Sequence, residues 1–581
     1  MSPRPFPDSF APDDGPVTTG PRGQRAHRDL VDHTARLERR LWEVRPGVWC
    51  LVGNGLSNQT FVEGPDGLIA IDTGESIEEM AAALAEVRAA TSAPVVAVIY
   101  THFHYVAGTA AIPAEEGRPP ATPLEVWGHE RVVANRERYG LEISAAAGRG
   151  LVHQFGIALP PDGPDAVTNV GLGLFFRDPA HAPFTEGFLA PTRTVDRPTT
   201  TEIAGLTVEL TPAPSDADDN LTIWFPDLGV CVDNLVWPAL FNVFAIRGEE
   251  YRDPRVLLAG LDHIDGLGAD HLVGSHGPPL SGRDVISREV VDYRDSIQYL
   301  WDQTVRGINQ GLTMDELTER VQLPERFARS YLTRQFYGLV EHHVRQIHVG
   351  LRGWFDGDEA SLFPTPHRER HRRLVEGFGG PDAVRAGAEA ALADGDVRWA
   401  LELASWLVRS DVDDAGRVDG GTPRDRELLA SVLRTIAQRT TSSNARNWCL
   451  TRALELEGAI DVARHRVHRF ARGTVRSNPL ASSVAALRVV LDPRSSADVE
   501  TEVAWELADG QRAGLRIRRG VAVPTDGSAA DHTIALDLDA WADILSGRTT
   551  LSEAVDGGRV TTDARDAVVA FFACFDLAGL R

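Results

Sequence analysis

The stretch that most constrains this chain is an apolar run, Ala93-Pro94-Val95-Val96-Ala97-Val98-Ile99, followed at once by Tyr100-Thr101-His102-Phe103-His104-Tyr105-Val106-Ala107-Gly108. The run reads as a buried strand, so both histidines fall in the loop at its C-terminal edge, where sheet enzymes commonly place their chemistry. Two imidazoles one residue apart converge on one metal when the backbone turns sharply between them. The bland alternative is a pair of loop histidines with no shared task, and the remainder of the chain weighs against it.

The surrounding pattern is that of a layered α/β domain. Val48-Trp49-Cys50-Leu51-Val52 and Gln59-Thr60-Phe61-Val62-Glu63 read as strands, and the turn Gly64-Pro65-Asp66-Gly67 leads into Leu68-Ile69-Ala70-Ile71-Asp72-Thr73-Gly74. A helical segment at 77–90 precedes the strand before His102, and strands alternate with helices to about residue 282. At 581 residues the chain has room for roughly three domains of about 150 residues each. Residues 1–30, rich in Pro, Gly, Asp and Arg, read as a flexible arm. The α/β domain is expected at 31–284. From Val290 through Ile297, Leu300, Trp301 and Val305 to Ile308 the apolar spacing becomes helical, and Thr313-Met314-Asp315-Glu316 is a capping box. An all-α domain is therefore expected at 285–435. Alternation returns at Val499-Glu500-Thr501-Glu502-Val503-Ala504-Trp505, and a helix precedes Phe575, which predicts a small α+β domain at 436–581.

Composition narrows the function. A formal net charge of −24 argues against nucleic acid or an anionic membrane as the main partner. An anionic substrate would need a local cationic pocket. All 59 basic residues are arginine, which excludes a Schiff-base lysine and a phosphate-loop lysine. Cys50, Cys231, Cys449 and Cys574 form no CxxC pair, so neither a zinc ribbon nor a disulfide scaffold is expected. No segment has signal-peptide or membrane-spanning character, and a cytoplasmic protein acting on a small molecule is the expectation.

Three further metal-ligand candidates lie beside strand ends. Asp216 stands in Pro214-Ser215-Asp216-Ala217-Asp218-Asp219-Asn220, Asp233 ends Gly229-Val230-Cys231-Val232 and is followed by Asn234, and His276 follows His271-Leu272-Val273-Gly274-Ser275. Each alone is an ordinary polar loop residue. Their order, a His pair, two carboxylates and a late His, resembles the alkylsulfatase branch of the metallo-β-lactamase superfamily over about residues 40–420 and on through the tail. The resemblance implies an αββα domain, an all-α dimerisation domain and a sterol-carrier-like tail. It places Asp72 of Asp72-Thr73-Gly74 beside the metal ligands. It makes His102 and His104 the first half of the HxHxDH motif, Asp216 the first acidic ligand, Asp233 the bridging carboxylate and His276 the late histidine. One extra residue separates Asp233 from Asn242. A sulfate clamp is implied in Asn242 and Arg247 of Phe241-Asn242-Val243-Phe244-Ala245-Ile246-Arg247-Gly248 and in Tyr337 of Phe336-Tyr337-Gly338. Arg247 suits the substrate anion because a planar guanidinium binds a tetrahedral oxyanion bidentately; a solvated surface charge is its alternative reading. Trp354-Phe355-Asp356-Gly357 resembles part of the dimerisation domain, which implies a homodimer.

The motif's second half is absent, because Val106 and Ala107 stand where its Asp and third His belong. One metal per chain is therefore expected, zinc or alternatively iron, on His102, His104 and Asp216, with Asp233 within reach and Asp218 or Asp219 not excluded. Asp233 is expected to orient water or take its proton. The resulting reading is a metal-dependent hydrolase acting on a sulfate ester or related ester with an apolar tail. Two others stay open: a repurposed single-metal lyase or oxidoreductase, and a non-catalytic protein that binds hydrophobic ligands.

Overall fold

The computed structural model describes residues 8–115, 124–410, 420–462 and 470–577. Two sheets form the centre of the first half. A seven-stranded sheet runs in chain order through Arg40–Arg45, Val48–Val52, Gln59–Gly64, Gly67–Ile71, Val95–Ile99, Glu125–His129 and Arg193–Val195. Its first strands pair antiparallel through tight turns. Gly67 is required in one of them, at φ 142° with a would-be Cβ only 2.7 Å from the Pro94 carbonyl. The pairing becomes parallel where helix Ile77–Val87 carries the chain from Gly67–Ile71 to Val95–Ile99. A six-stranded sheet follows in the order Thr199–Ile203, Leu206–Pro212, Leu221–Phe225, Val230–Asp233, His271–Gly274 and Leu280–Ser281. Helix Pro254–Leu267 makes its one parallel crossover.

The sheets pack face to face because alternate residues are apolar on the shared side. Ile69, Ile71, Ala97 and Ile99 of the first meet Leu221, Ile223, Val230, Val232 and Val273 of the second in one buried core. The opposite face of the second sheet, including Cys231 and Leu272, packs with Leu257, Leu261 and Ile264 and with Ile286, Val290 and Tyr293 of helix Arg283–Asn309. Helices thus cover a two-sheet core, as the alternating pattern predicts.

The described part of residues 1–30 is not a loose arm. Val17–Thr19 pairs with Arg25–His27, Ala26 and Leu30 are fully buried, and Arg25 donates its backbone N–H to the Pro164 carbonyl at 3.0 Å. Apolar anchors among the polar residues outweigh the composition. The helical region comprises Arg283–Asn309, Met314–Arg320, Val340–Arg352, His367–Gly377, Pro381–Ala393, Val397–Arg409, Pro423–Arg439 and Ser443–Leu456. Helix Pro423–Arg439 runs through the boundary expected at 435, and helix Ser443–Leu456 continues the helical region beyond it. Among the described residues no helix is long and apolar enough to cross a membrane.

The chain divides into two compact units, one of Met1–Glu130, Gly150–Thr185 and Pro191–Asp461, the other of Arg131–Arg149, Glu186–Ala190 and Val462–Arg581. The second is built on a five-stranded sheet, with Thr501–Leu507 central, and a core containing Trp505, Trp541, Phe571 and Phe572. An insertion from the front half completes it: Leu141 is 1% exposed in that core, and Glu142 pairs with Arg488 at 2.9 Å. Leu141→Ala is expected to remove roughly 2–5 kcal/mol from this unit. Hydrogen exchange should show faster opening of Thr501–Leu507, more than 350 positions away in sequence, with the two-sheet core unchanged.

Candidate metal centre

Strand Val95–Ile99 ends in a short turn, Phe103–Tyr105, that reverses direction between the two histidines. His102 Nε2 comes to 2.9 Å from His104 Nδ1. Asp216, on the loop before strand Leu221–Phe225, closes the triangle with Oδ2 3.2 Å from His104 Nδ1 and Oδ1 3.7 Å from His102 Nε2. Among the described residues, these three form a group whose ligand atoms all lie within 4.8 Å of one another. Asp218 and Asp219 are outside it.

The nitrogens facing away from the triangle each have a polar neighbour. Thr101 Oγ1 donates to Asp72 Oδ2 at 2.7 Å and lies 2.9 Å from His102 Nδ1, so its lone pair accepts the Nδ1 proton. His104 Nε2 lies 3.3 Å from Glu249 Oε1. With both outer nitrogens protonated, the inner lone pairs face each other beside a carboxylate, and either a proton on His104 Nδ1 or a metal ion between them relieves the repulsion. Tetrahedral ligands at about 2.0–2.2 Å from an ion stand roughly 3.3 Å apart, so the triangle fits a divalent ion with small adjustments. Charges agree. Burial holds the His102 pKa down to about 3, keeping it neutral. Burial also opposes charge on His104, but Asp216 and Glu249 outweigh it and raise its pKa. Asp216 stays ionised, well below the usual carboxylate range, because the imidazoles overcome its burial.

Asp233 is turned away, which revises its reading as a bridging carboxylate. Val230 and Val232 face the inter-sheet core while Cys231 faces the helices, so strand alternation puts Asp233 on the helix side and Asn234 on the site side. Asp233 Oδ1 accepts the backbone N–H groups of Leu235 and Val236 at 2.7 and 2.8 Å. Asn234 Oδ1 accepts from Trp237 Nε1 at 3.0 Å, which leaves Nδ2 to donate to Asp216 Oδ1 at 2.7 Å. An amide donor, not a carboxylate, therefore faces the triangle.

His276 is also outside the three-residue group. Its Nδ1 donates to the Leu56 carbonyl at 3.0 Å, and its Nε2 lone pair accepts from the Tyr105 hydroxyl at 3.2 Å. Burial lowers its pKa to about 4. Val106 and Ala107 are buried and carry no donor. Tyr105, between His102 and His276 at ring distances of 5.0 and 5.3 Å, thus engages the nitrogen that a second metal would need.

The other sequence candidates surround a cationic wall. Arg247 and Arg252 both pair with Glu249, which is only 2% exposed. Burial opposes its charge, yet the two guanidinium groups pull its pKa to about 2. Asn242 Oδ1 lies 3.1 Å from His343 Nε2, and its Nδ2 is buried without a hydrogen-bond partner. Tyr337 enters from the segment between the helices. Gln154 joins it to the arginine by donating Nε2 to the Tyr337 hydroxyl at 2.9 Å and accepting the Arg247 backbone N–H at 3.2 Å. Ser442 Oγ at the start of helix Ser443–Leu456 donates to the Tyr337 carbonyl at 2.6 Å. Sequence reasoning missed Gln154, Glu249, Arg252, Tyr105 and the orientation of Asn234. Strand alternation could have given Asn234, and Gly248 between Arg247 and Glu249, at φ 88°, could have marked a turn bringing both inward.

The comparisons with known proteins agree with this arrangement. A metallo-beta-lactamase superfamily model matches residues 52–105 and an alkyl sulfatase dimerisation model matches 313–459. A linear primary-alkylsulfatase of Pseudomonas sp. (strain ATCC 19151) is 35% identical over 532 residues, covering 89% of this chain and 98% of that one. An (R)-specific secondary-alkylsulfatase of Pseudomonas sp. is 28% identical over 90% of this chain and 78% of that one. The solved structure of a stereoselective inverting sec-alkylsulfatase of Pseudomonas sp. superposes with a TM-score of 0.84 at 26% identity, covering 95% of this chain and 87% of that one. The two-sheet core with its three-ligand site defines a metallo-β-lactamase-type protein. The chain belongs to the alkylsulfatase family within that superfamily.

Asp233 generates a pH prediction. Burial raises its pKa from 3.8 to about 7. Between about pH 4 and 7 the unfolded chain has released this proton while the folded chain keeps it, so the residue's contribution to stability falls as pH rises through that window and levels off above it. In metal-free Asp233→Asn this loss should disappear, flattening the stability-versus-pH curve by roughly 2–4 kcal/mol. Denaturant unfolding at pH 5 and pH 8 measures it.

Proposed function

We propose that this chain is a metal-dependent hydrolase of sulfate monoesters carrying an apolar alkyl group. The observation that supports this best is the contact chain from a three-donor metal triangle through Glu249 to the arginine pair, beside a buried amide donor, Asn242 Nδ2, with no partner. A buried orphan donor costs about 1–3 kcal/mol, and a sulfate oxygen would satisfy it. His102, His104 and Asp216 would hold one ion, for which zinc suits two imidazoles and a carboxylate. When bound, such an ion supplies Lewis-acid character and makes water more acidic.

Arg247 gives the sulfate a charge-assisted donor, while Asn242 and Tyr337 add neutral ones. Burial raises the Tyr337 pKa and keeps the phenol protonated as a donor. Gln154 holds the Tyr337 hydroxyl and the Arg247 backbone in fixed relation. Asn234 and Thr101 keep Asp216 and His102 aimed inward. Hydrolysis adds the elements of water across the ester, giving alcohol and hydrogen sulfate. Asp233 is given no part as a base, since it lies on the helix side of its strand, away from the triangle.

Metal analysis and turnover on alkyl sulfates test this reading together. About one zinc equivalent per chain is expected. His102→Ala should lose metal and activity together, whereas Arg247→Ala should keep its metal and lose roughly 10²-fold or more in kcat/KM. Full turnover by the stripped protein would overturn the metal's role. An iron equivalent without sulfate-ester turnover would favour the repurposed-enzyme reading.

A homodimer through the helical region is part of the proposal. Its support is the dimerisation model over 313–459, to which Trp354, 67% exposed, and Phe363, 91% exposed, add apolar surface in the same stretch. The double variant Trp354→Ser, Phe363→Ser should shift the light-scattering mass from dimer to monomer at low micromolar concentration; a wild-type monomer refutes the dimer. The C-terminal unit is proposed to be the sterol-carrier-like module, in keeping with its five-stranded sheet and aromatic core.

A further inference from the structure

Glu249 occupies an unusual position. One oxygen lies 3.3 Å from the outer nitrogen of His104 and also meets Arg247, and the other meets Arg252. All three side chains are nearly enclosed, Glu249 at 2%, Arg252 at 4% and Arg247 at 12% exposure. The arginine pair is therefore already engaged by an anion of the chain's own. With Asp216 included, two carboxylates balance two guanidinium groups in the absence of an ion.

We propose that Glu249 is a positioning residue that also tunes anion affinity, resting on the metal and sulfate reading above. It holds His104 with Nδ1 presented to the ion, as a carboxylate behind a ligating histidine does. It also competes with sulfate for Arg247 and Arg252. Free inorganic sulfate, which has only charge to offer, consequently binds weakly and leaves readily. The same loss applies to an alkyl sulfate, which offsets it by burying its apolar chain at about 0.8 kcal/mol per methylene. The tail sets the ratio of the two affinities, and the carboxylate sets how weakly the sulfate group alone is held.

The two effects predict opposite shifts in one variant. Full-length wild type, Glu249→Gln and Glu249→Asp are stripped of metal, titrated with zinc against a competing chelator, then titrated as zinc-loaded protein with sodium sulfate by calorimetry. Glu249→Gln removes the charge at constant volume. Its zinc affinity should fall about 10- to 100-fold while its sulfate affinity rises about tenfold or more. Glu249→Asp keeps the charge but is one methylene shorter, so zinc binding should weaken while sulfate affinity stays within about twofold. It answers for the positioning effect if the glutamine variant does not fold. Unchanged zinc affinity in either variant, or unchanged sulfate affinity in Glu249→Gln, would overturn the proposal. If wild type itself takes up no zinc, the metal reading falls and this inference with it; if wild type binds zinc and the variants match it, this inference alone falls.

Discussion

The Asp72 carboxylate is the interaction on which the rest of the site depends. One oxygen accepts the Thr101 backbone N–H at 2.8 Å; the other accepts the Thr101 hydroxyl at 2.7 Å and the Ser275 hydroxyl at 3.3 Å. Thr101 follows a strand of the first sheet and Ser275 follows a strand of the second, so one buried side chain ties the sheets together where the ligand loops leave them. Asp72 adopts φ 57° to do so, a left-handed backbone that costs a non-glycine residue of order 1–3 kcal/mol. Burial raises its pKa to about 7 against the pull of these hydrogen bonds. The fold holds this strain and desolvation because the apolar cores on either side of the staple are deep.

From that staple the first ligand is oriented at one remove. Thr101 passes the carboxylate's hold to His102, Asn234 does the same for Asp216 from the second sheet, and Glu249 stands behind His104. Each ligand is thus aimed by a polar neighbour rather than by apolar packing alone, which fixes the imidazole tautomers and leaves the inner lone pairs exposed to a cation. The site next to it is closed by different means. Tyr105 engages His276, Val106 and Ala107 supply no donor, and Asn234 presents N–H groups where a carboxylate would have to be. Four separate positions agree on this, so the loss of the second site is a property of the whole pocket.

The cationic wall depends on the helical region as much as on the sheets. Tyr337 comes from between helices, held by Ser442, and Gln154 links it to Arg247 across the pocket. Gln154 bonds the phenol on one side and the Arg247 backbone on the other, so the packing of the helices and the position of this loop are coupled through one amide.

Much of this was legible in the sequence, for a simple reason. Strand and helix periods, the turn residues and the spacing of His102 and His104 are local, and local geometry follows from neighbouring residues. The layered α/β core, the helical region and the histidine pair could be read that way, whereas the two-sheet arrangement, the three-ligand set and the missing half-motif came from the resemblance to alkylsulfatases. The sequence also determined that charge in the pocket must come from arginine. Tertiary structure alone decided which polar residues meet. Asp233 and Asn234 differ by one position; alternation puts them on opposite faces, and the packing of the strand shows which face holds the site. The 1–30 segment has the composition of an arm but carries two apolar anchors whose partners lie far along the chain. Glu249 and Gln154 belong to no motif, and their roles arise because side chains distant in sequence place charges and donors against them in a low-dielectric interior. Periodicity specifies the elements; the pairing of buried polar groups is settled only when those elements pack.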